Sequence, residues 1–316
     1  MQYVNLGTAG VKISRLALGT NMLGGYVDEQ RSIELVHAFL DAGGNFIDEA
    51  DVYGGGKSEE IMGKALKGRR GQAVLATKFN APMGQGPNDK GNSRKHLMDS
   101  IEASLRRLQT DYIDLYIIHN WDATTHIAET LRTMDDLVRQ GKIRYVGVSN
   151  FAAWQVVRAL WVASRYGFDP VRSVQIEYSF TKRGPENDIL PMASEMGLIV
   201  TPYWVLQAGI LTGKYKQGEA PQGSRFAANA QTAQRMKDRF LREETPSIIE
   251  RLEQVSREAG KTPAQVTIAW ALSKPAIGSV IAGTSRPEQV RENCEAVGIT
   301  LTEDQIKRLD TAAVPA

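Results

Sequence analysis

Residues 45–60 read NFIDEADVYGGGKSEE: a short apolar segment that runs into acids, a lone tyrosine, three consecutive glycines and a charged segment. Phe46 and Ile47 read as the end of a buried strand and KSEE as the start of a helix, so the stretch has the order strand, loop, helix. A strand needs neither Asp48 nor Tyr53. Both fall where the strand emerges into the loop, and α/β folds keep their chemistry at such ends.

The same rhythm recurs along the chain. Strand candidates lie at 15–20, 45–50, 73–79, 112–119, 143–150, 173–179, 197–204 and 279–284, with helix candidates at 29–42, 57–67, 93–108, 126–140, 151–165, 184–196, 246–259 and 286–296. Eight such units predict a closed (β/α)8 TIM barrel, one domain over residues 1–316, rather than an open doubly wound sheet. No strand candidate is followed by G-x-G-x-x-G, which weakens a Rossmann reading further. The first fourteen residues read as a β-hairpin that plugs the barrel bottom, and 303–312 as a final outer helix. The glycine- and proline-rich segment 80–92 predicts an exposed loop, and 205–244 a long functional loop after strand seven.

Bulk composition excludes several classes. Thirty-eight basic residues against 36 acidic ones give a formal charge of +2, with no block of like charge to mark a nucleic-acid or membrane surface. The single cysteine, Cys294, rules out an internal disulfide, and the start MQYVNLGTAG lacks the pattern of a secretory signal. The expectation is a cytoplasmic protein with a small-molecule partner and no metal.

Four residues carry the chemistry. Asp48 and Tyr53 at the second strand, Lys78 at the third and His119 at the fourth all sit at carboxyl ends, so a barrel would converge them on one rim. Taken singly, each has an ordinary structural role: a turn cap, a packing ring, a solvated lysine, a core histidine. Together they form a coupled set in which Lys78, held by Asp48, is expected to lower the Tyr53 pKa from its ordinary ~10 so that the hydroxyl can exchange a proton. His119 would hydrogen-bond a substrate oxygen beside it. The set polarises a carbonyl and protonates it, but it holds no electron source.

With those residues in hand, the chain resembles the aldo-keto reductase family over nearly its whole length. NFIDEADVYGGGKSEE is similar to the segment with the family's aspartate and proton-donor tyrosine, ATKF to that with the lysine, and DLYIIHNWD to that with the histidine. GKIRYVGVSNF and VQIEYS resemble the segments that hold the nicotinamide carboxamide, here Ser149, Asn150 and Gln175, and Tyr203 matches the aromatic that stacks on the nicotinamide ring. The resemblance implies further coenzyme contacts at Met22, Trp204, Leu206, Gly209, Leu211, Lys214, Arg225, Gly283, Ser285, Arg286, Gln289, Glu292 and Asn293. Tyr26, Met83 and Trp121 are candidate walls of the substrate pocket. GTSRPEQVREN, residues 283–293, predicts a helix opened by a capping box from Ser285 to Glu288, whose N-terminus suits an anion.

The pattern departs at three places. Glu49 stands where the family usually has a small hydroxyl residue, and its side chain is expected to point away from the site. Trp204 and Val205 replace a serine and a proline. Gly283 and Gln289 stand where some relatives have lysine and arginine, leaving Arg286 to hold the adenosine phosphate and to favour NADPH over NADH. The implied activity is NAD(P)H-dependent reduction of an aldehyde or ketone, or its reverse. A Schiff-base lyase acting through Lys78 and a nicotinamide-binding regulatory subunit are the alternatives.

Overall fold

The structure is a computed structural model that describes residues 1–213, 234, 238, 239 and 245–312. Two short strands, β1 (Tyr3–Asn5) and β2 (Lys12–Ser14), pair antiparallel as the expected hairpin. Its Leu6 and Ile13 are fully buried in one cluster with Ala17, Phe46, Leu115 and Ile117, so the hairpin closes one mouth of the barrel with apolar side chains.

The barrel strands are β3 (Leu16–Gly19), β4 (Phe46–Asp48), β5 (Val74–Phe79), β6 (Ile113–Ile118), β7 (Ile143–Ser149), β8 (Val171–Glu177), β9 (Ile199–Tyr203) and β10 (Val280–Ala282). They pair in parallel in the order β10-β3-β4-β5-β6-β7-β8-β9. Val200 closes the ring, donating to Ala276 O at 2.8 Å and accepting from Gly278 N at 3.1 Å. The chain therefore forms the eight-stranded barrel that its βα rhythm predicts.

Helices α1 (Glu29–Asp41), α2 (Lys57–Ala65), α3 (Arg94–Leu108), α4 (Ile127–Arg139), α5 (Ala153–Tyr166) and α6 (Ile189–Glu195) follow the successive strands. After β9 come α7 (Thr245–Ala259), α8 (Pro263–Leu272), α9 (Pro287–Glu295) and α10 (Glu303–Ala312). No helix among the described residues is long and apolar enough to cross a membrane.

Three elements depart from the sequence reading. Helix α8 was not expected, because Ala264–Leu272 are all buried and leave no polar face to give the segment a period. Its start is nonetheless written in the sequence: Thr262 Oγ1 accepts from Gln265 N at 3.3 Å, Gln265 Oε1 accepts from Thr262 N at 3.1 Å, and Pro263 is the first helical residue. The segment 184–196 divides into a short 3-10 turn, Gly184–Glu186, and α6. Helix α9 starts at Pro287 with Arg286 as its cap, and the expected Ser285–Glu288 capping box does not form. The Gln289 side chain instead reaches back past the cap and accepts from Ser285 N at 3.3 Å.

Candidate active site

The carboxyl ends of the strands bring the four expected residues together. Asp48 ends β4, Lys78 stands one residue before the end of β5, and His119 follows β6. Tyr53 begins the turn between β4 and α2. Lys78 is fully buried, and its Nζ lies 2.8 Å from Asp48 Oδ1, 3.2 Å from the Tyr53 hydroxyl and 2.7 Å from the Glu49 carbonyl. An ammonium has three N–H groups, and all three are engaged. The His119 ring meets the Tyr53 ring edge-on, with centroids 6.4 Å apart. Its Nδ1 is buried without a partner among the described residues.

Burial and charge oppose each other here. Burial pushes the Tyr53 hydroxyl up to about 12, and the nearby Lys78 ammonium offsets only part of this. The expectation that Lys78 brings Tyr53 below its ordinary value is thus corrected: removing the phenolate from water outweighs one cation. Burial also opposes the Lys78 charge, but Asp48 and Tyr53 outweigh it and hold the ammonium above its ordinary range. His119 is driven down to about 3 by burial, with the Lys78 charge adding to the effect, so its imidazole is neutral at ordinary pH.

Behind this set lies a second group of acids. Glu49 is fully buried and points away from the cavity, as expected; its Oε1 accepts from Ser58 Oγ at 2.8 Å. Burial, reinforced by the neighbouring Glu59, raises its carboxyl to about 8. The same two causes raise Asp51 to about 7, and neither of its carboxyl oxygens has a partner among the described residues. Glu59 itself is tied to Arg107 at 2.7 Å.

A cavity of about 560 Å³ opens beside Tyr53 and runs along the ends of β7 to β10. Asp48, Tyr53 and His119 line one end; Asn150, Gln175, Tyr203, Trp204, Leu206 and Gly209 line the middle; Gly283, Ser285, Arg286, Gln289, Glu292 and Asn293 line the far end. Tyr203 donates to Asn150 Oδ1 at 2.7 Å, and Asn150 Nδ2 donates to His119 O at 3.0 Å. The segment after Tyr203 is wound tightly: Trp204 (φ 59°), Gln207 (φ 47°) and Ala208 (φ 55°) all take the left-handed conformation that non-glycine residues avoid.

The residues fit a nicotinamide dinucleotide. The cavity runs from Tyr53 to the start of α9, and the buried Thr284 Oγ1 on its wall has no hydrogen-bond partner among the described residues; Ser149 Oγ, buried behind the wall, likewise has none. At the far end the exposed Arg286 caps α9 and makes no salt bridge among the described residues, so a cation and a helix N-terminus face the same space.

Other expected residues stand apart. Met22 and Tyr26 line the cavity, whereas Met83 and Trp121 do not: Met83 is exposed on the 80–92 loop, and Trp121 packs edge-on against Phe151 and Trp154. Leu211 is fully buried in the core beneath the turn and does not line the cavity. Ser149 and Lys78, both fully buried, also lie behind the cavity wall. Lys214 and Arg225 lie outside the described residues. Sequence reasoning missed several residues that line the cavity, among them Asn21, Gln207, Ala208, Arg239 and Thr284. Asn21 was within reach of the rule that strand ends carry the site, since it follows β3. Gln207 and Ala208 had no signal, because neither residue type announces a left-handed turn.

Residues 15–314 match the sequence profile of the Aldo/keto reductase family. A protein from Oryza sativa subsp. japonica named as a probable voltage-gated potassium channel subunit beta is 38% identical over 317 residues, covering 98% of this chain and 96% of that one. From Bacillus subtilis, an uncharacterized oxidoreductase, YrpG, is 36% identical over 98% of this chain and 95% of its own. The aldo-keto reductase YhdN of the same organism is 35% identical over 98% of this chain and 93% of its own. With this agreement over nearly the whole length and the barrel-rim geometry just described, the chain belongs to the aldo/keto reductase family.

Proposed function

We propose that this protein reduces an aldehyde or ketone to an alcohol, or runs the reverse, using a nicotinamide dinucleotide, with NADPH favoured over NADH. The bound coenzyme would supply or accept the hydride. Tyr53 would give its proton to the carbonyl oxygen, and the neutral His119 beside it would orient that oxygen by a hydrogen bond. Lys78 would stabilise the phenolate left behind. Asp48 keeps Lys78 charged and oriented, and Ser149, Asn150 and Gln175 would hold the carboxamide. Arg286 would meet the adenosine phosphate.

The observation that carries this reading is Lys78 Nζ lying between Asp48 Oδ1 at 2.8 Å and the Tyr53 hydroxyl at 3.2 Å. A lysine so placed stabilises the deprotonated donor. The same contacts weigh against a neutral amine at Lys78, which a Schiff-base lyase would need. Coenzyme oxidation measured against sugars, steroids, aromatic aldehydes and dicarbonyls tests the proposal: turnover with at least one carbonyl class is expected, and none with any would count against it.

A second reading is a nicotinamide-binding regulatory subunit. It draws on relatives from Oryza sativa subsp. japonica and Arabidopsis thaliana, each 38% identical and each named as a probable voltage-gated potassium channel subunit beta. Coenzyme binding without turnover in the same assay would favour it.

A further inference from the structure

The turn that carries Tyr53 is built from three consecutive glycines. Gly54, Gly55 and Gly56 follow the tyrosine with φ values of 58°, 66° and 94°, a left-handed run that only glycine adopts without strain. Glycine leaves the chain more conformational freedom than any other residue, so the position of Tyr53 depends on what holds each end of the turn. On one side it is held by β4. On the other it is held by α2, which begins at Lys57 immediately after the glycines.

Helix α2 is anchored in its first turn by Glu59. This carboxylate is fully buried and accepts from Thr77 Oγ1 at 2.6 Å and from Arg107 Nε at 2.8 Å, with Arg107 Nη2 at 2.7 Å. Thr77 is the residue before Lys78 on β5, and Arg107 lies at the end of α3. The last glycine of the turn packs on the same arginine: a Cβ at Gly56 would meet Arg107 Cδ at 2.9 Å. One buried carboxylate thus connects the segment bearing Tyr53 to the strand bearing Lys78. Side chains alternate along β5, so Thr77 faces the helices and Lys78 the site.

We infer that Glu59 is a positioning residue for the reaction, which, through Thr77 and Arg107, fixes the glycine-rich turn so that the Tyr53 hydroxyl stays in contact with Lys78. The inference rests on Tyr53 and Lys78 acting as proposed above. Glu59 touches neither of them, and its effect is exerted through the backbone of the turn and of β5.

The test uses Glu59→Gln, with Thr77→Val and Thr77→Ser as a second pair. In Glu59→Gln, kcat should fall by about 10-fold to 100-fold, the loss expected when a reacting group drifts by a fraction of an ångström to an ångström. Coenzyme dissociation constants should stay at the wild-type value, since the coenzyme cavity lies toward β7 to β10. The pH profile of alcohol oxidation, which needs the phenolate, should move to higher pH as Lys78 loses its grip on Tyr53. Loss of a negative charge alone would move the profile the other way, so the direction separates positioning from electrostatics. Thr77→Val should lower kcat in the same sense and Thr77→Ser should restore it; this pair decides the matter if Glu59→Gln does not fold. Folded variants with wild-type kcat and pH profile, or with only a lower melting temperature, would overturn the inference. If Tyr53→Phe retains full turnover, the failure lies instead with the proton-donor reading.

Discussion

Gln175 Nε2 donates to Asp48 Oδ1 at 2.8 Å, on the same oxygen that Lys78 Nζ approaches at 2.8 Å. One carboxylate oxygen therefore joins the proton-donating end of the site to the residues that would hold the coenzyme. Gln175→Leu should lower kcat as well as coenzyme affinity. It removes a charge-assisted bond of about 1.5–3 kcal/mol from a buried carboxylate and leaves Asp48 freer to shift away from Lys78. Steady-state kinetics with coenzyme titration checks this. A change in coenzyme affinity alone would mean that the Gln175–Asp48 bond has no part in turnover.

Lys78→Met should abolish most turnover and destabilise the fold. The cation that stabilises the Tyr53 phenolate is lost, and Asp48 is left buried without its ion partner, a change that typically costs about 3–5 kcal/mol. Denaturant unfolding and turnover, measured on the same preparation, test both parts. A stable variant with wild-type activity would show that the ion pair is dispensable.

Arg286→Ala should narrow the preference for NADPH over NADH. The arginine occupies the cap position of α9 at the far end of the cavity, and Gly283 supplies no second cation there, while the uncharged Gln289 side chain accepts from Ser285 N. One charge-assisted contact corresponds to about 1.5–3 kcal/mol, or roughly one to two decades in the ratio of dissociation constants. Titration of both coenzymes into wild type and variant measures the ratio. An unchanged ratio would remove Arg286 from phosphate recognition.

Stability should fall as pH rises from about 4 to about 8, because two buried carboxyls keep their protons in the folded chain. Burial raises Glu49 from an ordinary 4.5 to about 8, and Asp51 from 3.8 to about 7. Between those values the native state binds protons that the unfolded chain has released, so the stabilisation present at low pH is lost as pH climbs through the folded values. Glu49→Gln keeps the neutral shape and should flatten the decline by an amount of the order of a few kcal/mol. Chemical denaturation at pH 5, 6.5 and 8 follows the slope; a variant with the wild-type slope would mean that Glu49 is already ionised when folded.

Much of this site is legible in the sequence, for identifiable reasons. The strand ends at Asp48, Lys78, His119 and Ser149 follow apolar runs that alternate with helices, and eight such units leave little choice of architecture. Helix α8 was lost because it is buried all round: its cap at Thr262 was readable, but its apolar body carried no period. The capping box at Ser285 failed because the helix starts one residue later than expected, at Pro287, which leaves Arg286 as the cap. The Tyr53 pKa could not be read from its neighbours, since burial raises it to about 12 although a cation lies in contact. Residue order records who stands beside whom at a strand end, but it does not record how much water is excluded.

Turnover by Tyr53→Phe is the most direct test of the central claim. The variant keeps the ring against His119 and removes only the hydroxyl that Lys78 contacts at 3.2 Å. Carbonyl reduction should fall by about the 10²- to 10⁴-fold that accompanies loss of a general acid, while coenzyme dissociation constants stay near wild type. A Tyr53→Phe protein that reduces the same carbonyl at the wild-type rate would contradict the account.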